Sequence, residues 1–406
     1  MESTKTGANE FIRLENEYGA HNYHPLDVVL SRGEGVWVWD VDGKKYLDCL
    51  AAYSAVNQGH SHPKIRQALI DQSEKVTLTS RAFRSDQLGP LYKQVHEMTG
   101  YSKMLPMNSG AEAVETAIKA ARKWGYEIKG VAKDQAEILV FTGNFHGRTT
   151  TIVGFSDDEQ YKEGFGPFTP GFTLLPYGDI DAIKAAMNPN VVGVLIEPIQ
   201  GESGIISPPK GFLAELAALC KEHNALLITD EIQSGLGRTG KLFAHQHEGV
   251  RPDMVIIGKA LAGGFYPVSA VLADDEVMSV FRPGDHGSTF GGNPLGSAVA
   301  SAALSVLVDE NLVENSAKLG AYFMDKLATL KSSKIKEIRG LGLWIGLELT
   351  EEAGGARRYC EALQHKGLLC KETHETTIRF APPLCITKDE LDWAFEHIVA
   401  VFEELG

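Results

Sequence analysis

The sequence predicts an α/β protein, with a large domain built on a mostly parallel sheet and a smaller α+β domain after it. Three observations carry this. From about Ser109, apolar runs of strand length alternate with helical periodicities, the pattern of strand–helix–strand units. Several of the runs, such as 191–197 and 254–259, are apolar almost throughout, as strands covered on both faces are. Past about residue 330 the alternation gives way to a mixed order of strands and helices.

Taken in order, Val36-Trp37-Val38-Trp39 and Lys45-Tyr46-Leu47 flank Asp40-Val41-Asp42-Gly43, and the Asp-Gly pair predicts a β-hairpin ahead of the α/β pattern. Residues 111–126 read as a helix with Val114, Ala117, Ile118 and Ala121 on one face, opened by a Ser109/Glu112 capping box. Strands follow at 138–141 and 191–197, a helix at 212–223, and strands at 226–231, 254–259 and 268–273. A single helical stretch is expected over 295–330. Then come 335–349 (strand with glycine breaks), 357–366 (helix), 377–380 (strand) and a last helix over 389–405, which Thr387 and Glu390 cap. The expected division is an amino-terminal segment, 1–60, packing with the small domain, a large cofactor-binding domain, 61–294, and a small domain, 295–406.

The chain of 406 residues has room for about two or three domains. Its formal charge of −14 argues against nucleic acid or an anionic membrane as partner, while leaving room for a local basic pocket. No stretch approaches the roughly 18–20 apolar residues of a membrane span. The opening Met-Glu-Ser-Thr-Lys-Thr-Gly has neither an apolar core nor an Arg-rich amphipathic pattern, so no leader and a cytoplasmic location are expected. Cys49, Cys220, Cys360, Cys370 and Cys385 are odd in number and scattered, which predicts reduced thiols.

The chemistry starts at Lys259. It ends the run Met254-Val255-Ile256-Ile257-Gly258, where an ammonium must be paired, neutralised or converted. Asp230 ends the preceding apolar run, so an acid and a lysine stand at the ends of successive strands, where open α/β sheets build sites. A Schiff-base lysine and an acid facing a pyridinium nitrogen are what pyridoxal 5'-phosphate (PLP) requires. Ser109, Gly110 and Ala111 open a helix whose free amides suit a phosphate. Phe145 can stack on a flat ring, and Arg148 can hold a carboxylate bidentately. Arg379, inside an apolar strand, needs either a substrate carboxylate or an acid such as Glu202.

Two patterns point elsewhere. Gly235-Leu236-Gly237-Arg238-Thr239-Gly240-Lys241 nearly matches a P-loop, but Leu242 stands where the Mg²⁺-binding hydroxyl belongs. The pairs His60/His62 and His245/His247 lack further ligands, so no metal site is expected.

At Asp230-Glu231-Ile232-Gln233 and Gly258-Lys259-Ala260-Leu261 the chain resembles a class III PLP-dependent aminotransferase. Tyr18–Pro25, Tyr53–His60, Ser288–Pro294 and Arg379–Pro383 resemble members acting on the δ-amino group of ornithine. The resemblance implies the type I fold of PLP-dependent transferases and a homodimer with active sites at the subunit interface. It implies that Lys259 carries PLP, that Asp230 keeps the pyridine nitrogen protonated, and that Gln233 meets the phenolic oxygen. Phe145 would stack on the ring, and the Gly110 and Ala111 amides, with Thr289 of the partner subunit, would hold the phosphate. Tyr23 and Arg148 would take the α-carboxylate of L-ornithine, Tyr53 would line the pocket, and Glu202 would mask Arg379 until 2-oxoglutarate displaces it. N-acetylornithine or 4-aminobutyrate are the alternative substrates. One departure stands out: His146 occupies the place of a Trp beside the ring-stacking Phe.

Overall fold

The computed structural model describes residues 7–405. The expectation of no leader falls mostly on residues 1–6, outside the described residues.

Seven strands form the central sheet, in the order Lys103–Met107, Ser269–Ala273, Met254–Ile257, Leu226–Asp230, Val191–Ile196, Glu137–Phe141 and Phe172–Leu175. The last five of these run parallel. Ser269–Ala273 is antiparallel to both of its neighbours, so the sheet is mostly parallel, as expected. Strand alternation sorts side chains between two layers. Ile138 and Val140 pack with Val114, Ala117 and Ile118 of the helix Gly110–Trp124, whereas Leu139 and Phe141 pack with Phe212 and Leu216 of Phe212–Glu222. Every residue of Val191–Ile196, Leu226–Asp230 and Met254–Ile257 is buried, which is why these runs show no polar alternation.

The hairpin forms where Asp42-Gly43 predicts it: Trp37–Asp40 pairs antiparallel with Lys45–Asp48, and Asp40 Oδ1 accepts the Asp42 and Lys44 amides. Lys45–Asp48 also pairs in parallel with Leu368–Leu369, so the two ends of the chain share one sheet. A third sheet runs Ile335–Gly340, Ile345–Leu349, Thr377–Phe380 and Lys371–Thr373, all antiparallel.

Three expectations are corrected. The helix over 295–330 is two helices, Pro294–Asp309 and Leu312–Leu327, bent by 55°. Asn311 between them takes a left-handed backbone (φ 53), a conformation Asn tolerates. The strand over 254–259 stops at Ile257, and Lys259 opens the one-turn helix Lys259–Ala262. The helix over 111–126 ends at Trp124 and widens into a π-turn, Gly125–Lys129. Helices at Ala8–Tyr18, Pro63–Ser73 and Leu88–Thr99 carry little sequence signal because they bury no residue or only two each. Among the described residues no single helix is long and apolar enough to cross a membrane.

Candidate active site

The carboxyl ends of four parallel strands and one helix terminus converge on a cavity of about 210 Å³. Leu226–Asp230 delivers Asp230, Val191–Ile196 delivers Glu197, Met254–Ile257 leads to Lys259, and Glu137–Phe141 leads into the loop bearing Phe145 and His146. The helix Gly110–Trp124 points its first turn at the same space.

That turn is prepared for an anion. Ser109 Oγ accepts the Glu112 amide at 3.2 Å, and Glu112 Oε2 accepts the Ser109 amide at 2.9 Å, so the expected capping box is present. Ser109 thus spends its side chain on the cap. The Gly110 and Ala111 amides have no acceptor among the described residues. Gly110 allows close approach of Ile232: a Cβ there would lie 2.9 Å from its terminal Cδ1, which would have to shift.

Lys259 sits in left-handed backbone (φ 45), a strained place for a side-chain-bearing residue. Its amine makes no hydrogen bond among the described residues and faces the cavity. Burial lowers its pKa, although Glu202, Asp230 and Glu197 oppose the shift.

Asp230 Oδ2 meets His146 Nδ1 at 2.7 Å, and Asp230 Oδ1 accepts the Ile232 amide at 3.1 Å. His146 therefore orients the acid rather than stacking on a ring. Burial disfavours its charged form, but the bonded Asp230 outweighs burial and raises its pKa. Glu197 accepts the Phe145 amide at 2.9 Å. Burial, with Asp230 nearby, pushes its carboxyl up to about 8, against the pull of His146.

A second charged pair is joined to the cavity through Gln233. Arg379 Nη1 donates to Glu202 Oε1 at 3.1 Å, and Arg379 Nη2 donates to the Gly201 carbonyl at 3.3 Å. Burial penalises the Glu202 charge, yet the Arg379 guanidinium more than compensates and brings its pKa to about 2. Gln233 Nε2 also donates to Glu202, at 3.1 Å, and Gln233 Oε1 is buried without a partner. Gly201 makes room for that amide, since a Cβ there would fall 2.0 Å from Gln233 Oε1.

Tyr53 covers Arg379, whose Cζ lies 5.1 Å from the ring centroid. Tyr53 is carried on four successive left-handed residues, Ala51 to Ser54, with φ of 49, 46, 58 and 70. Such a run is unfavourable by about 1–2 kcal/mol per residue and persists only where its surroundings hold it. Asp48 Oδ1 does so at its entry, accepting the Leu50 and Ala51 amides.

The remaining expected residues are less enclosed. Arg148 is exposed and stacks on Tyr161, its Cζ 4.2 Å from the ring centroid. Tyr23 is 79% exposed, and Thr289 is exposed and does not line the cavity of its own chain. Glu197 and Tyr161 escaped the sequence reading. Glu197 carries the same signal as Asp230, an acid closing an apolar run; Tyr161 sits in a segment without periodicity.

The other motifs are structural. Arg238 fills the Gly235–Lys241 loop and donates to the Leu343 and Pro382 carbonyls at 2.8 and 2.7 Å, so no phosphate cradle exists there. His60 pairs with Asp48 and His245 with Glu231, each through one carboxylate. Among the described residues no His/Cys/Asp/Glu group could hold a metal.

The residues fit PLP: an unpaired amine at Lys259, a carboxylate held by an imidazole, an aromatic wall at Phe145, and open helix-terminal amides.

Residues 18–402 match the family Aminotransferase class-III. The ornithine aminotransferase of Brevibacillus brevis is 61% identical, covering 97% of this chain and 98% of its own, and that of Bacillus subtilis is 59% identical, covering 96% and 97%. Among solved structures, an ornithine aminotransferase from Toxoplasma gondii, with partial occupancy of PLP at its active site, superposes with a TM-score of 0.97 at 44% identity, covering 99% of this chain and 95% of its own. An acetylornithine aminotransferase from Elizabethkingia anophelis gives 0.89 at 49% identity, covering 98% and 100%.

Proposed function

The chain belongs to the class-III aminotransferases, and on that basis we propose that it transfers the δ-amino group of L-ornithine to 2-oxoglutarate. The products are glutamate and glutamate 5-semialdehyde, which cyclises to pyrroline-5-carboxylate. The observation that carries this reading is the Arg379–Glu202 pair, covered by Tyr53 and bonded to Gln233 of the cavity.

Bound PLP supplies an electron sink for the amine-bearing carbon and carries the amino group from one substrate to the next. Lys259 would bind it, with Asp230, oriented by His146, serving its ring nitrogen. Phe145 would pack on its ring, Gln233 would serve its phenolic oxygen, and the Gly110 and Ala111 amides with Thr289 of the partner subunit would hold its phosphate. With its pKa lowered by burial, the Lys259 amine would be a base able to take the proton from the substrate δ-carbon and pass it to C4′ of the cofactor.

The specificity argument is electrostatic. Paired with Glu202, Arg379 offers no free charge to an α-carboxylate, so ornithine binds with its α-carboxylate at Arg148 and Tyr23 and its δ-amine inward. A dicarboxylate oxo acid then displaces Glu202 and takes both arginines. One pocket thereby accepts a cation and a dianion in turn. Exposed Phe83 and Phe290, together with Thr289 outside its own cavity, support a homodimer with active sites at the interface. The strand pairing Lys45–Asp48 with Leu368–Leu369 supports grouping residues 1–60 with 295–406 about a large domain over 61–294. Five unpaired thiols support a cytoplasmic enzyme.

The likeness to the Elizabethkingia enzyme favours a second reading, with N-acetylornithine as amino donor. A substrate panel on the PLP-loaded enzyme separates the two. Ornithine is expected to bleach the cofactor absorbance and turn over fastest, and Lys259→Ala to abolish turnover; faster turnover of N-acetylornithine reverses the assignment.

A further inference from the structure

We propose that Tyr161 is a positioning residue for substrate carboxylates, acting by holding Arg148 in place; this rests on the role given to Arg148 above. An exposed arginine is a poor clamp, because its side chain has many rotamers to lose on binding. Here Arg148 is restrained from one face. Its Cζ lies 4.2 Å from the Tyr161 ring centroid and 5.6 Å from that of Phe145. The two rings meet edge to face, with centroids 6.1 Å apart and planes at 73°. One guanidinium face is thereby occupied, while the in-plane N–H fork stays open to a carboxylate.

The ledge beneath Tyr161 is bonded to the loop bearing Phe145 and Arg148. Asn144 Nδ2 donates to the Phe141 and Phe155 carbonyls at 2.6 and 3.1 Å. Asp157 Oδ1 accepts the Gly143 amide at 2.8 Å, and Asp158 Oδ1 accepts the Gln160 amide at 2.9 Å to start the turn Glu159–Lys162. These bonds tie the turn that carries Tyr161 to the loop that carries Arg148. With Phe145 and Glu202, Tyr161 also lines a cleft of about 400 Å³. The ring that holds Arg148 thus faces the same cleft as Glu202.

The test compares Tyr161→Leu and Tyr161→Phe with two amino donors: ornithine, and 1,4-diaminobutane, which is ornithine without its carboxylate. Losing the stack is expected to raise KM for ornithine and for 2-oxoglutarate about tenfold, with kcat changed much less. The half-reaction of 1,4-diaminobutane with the PLP-loaded enzyme, which needs no oxo acid and has nothing for Arg148 to hold, stays as in the parent. Tyr161→Phe keeps the ring face and restores both KM values. Equal losses for the two donors in Tyr161→Leu, or no recovery in Tyr161→Phe, overturn the proposal. Arg148→Gln is the control on the underlying reading. If it leaves KM for ornithine unchanged, the assignment of Arg148 fails; if it raises KM while Tyr161→Leu does not, only the role of Tyr161 fails.

Discussion

Arg238 and Arg379 are both almost wholly buried, and both leave Nε without a partner. They differ in what their remaining donors meet. Arg238 reaches two backbone carbonyls, of Leu343 and Pro382, and the Asn57 side-chain oxygen. Those acceptors are fixed by the fold, so nothing can take their place. Arg379 has a single carboxylate, Glu202, on a side chain that is 28% exposed and lines the cleft shared with Tyr161, plus one long contact to the Gly201 carbonyl. That partner can swing away and be replaced by another carboxylate. A buried arginine saturated by backbone ties segments together; one held by a movable acid is a latent binding site.

Substitution separates the two. Arg238→Met strands three acceptors in the interior and is expected to cost about 3 kcal/mol or more, read as a fall of several degrees in Tm. Arg379→Met should lower Tm less than Arg238→Met, because Glu202 keeps the Gln233 amide and a side chain that is 28% exposed. It should lower kcat/KM for 2-oxoglutarate about 30-fold or more, with a smaller effect on ornithine. Should Arg238→Met instead act mainly on KM, the two arginines are not different in kind.

Glu202→Gln sharpens the contrast from the other side. It removes the masking charge and keeps the shape, so Arg379 becomes available to α-carboxylates. Glutamate is then expected to gain about tenfold as amino donor relative to ornithine, on the scale of one charge-assisted bond. An unchanged ratio means that Glu202 does not mask Arg379.

The smallest effect concerns Glu197. Its folded pKa is about 8 against an ordinary 4.5, so folding keeps it protonated. Below the ordinary value both states hold the proton. As pH rises from there through about 8, the unfolded state alone ionises and stability falls. Glu197→Gln lacks that loss, so its Tm advantage over the parent should grow by a few degrees between about pH 5 and about pH 8. An advantage independent of pH rules out a protonated Glu197.

Much of the site was legible in the sequence because charge at the end of an apolar run is costly and therefore conspicuous. Lys259 and Asp230 announced themselves this way, Arg379 did so from inside such a run, and Glu197 carried the same signal as Asp230. The P-loop-like run could be set aside from its missing hydroxyl, but the role of Arg238 depends on Leu343 and Pro382, over a hundred residues away. The left-handed run Ala51–Ser54 contains no glycine, so nothing local marks it; tertiary contacts impose it. Tyr161 was invisible for a related reason: its position follows from hydrogen bonds among loop residues. The break at Asn311 lies in a polar stretch, Asp309-Glu310-Asn311, where the apolar repeat lapses.

The central claim is that the δ-nitrogen, not the α-nitrogen, leaves ornithine. The most direct test feeds the PLP-loaded enzyme ornithine labelled isotopically at one nitrogen or the other, with 2-oxoglutarate, and follows the label. Label from the δ-position is expected in glutamate, and label from the α-position in pyrroline-5-carboxylate. Glutamate labelled from the α-position would contradict the account.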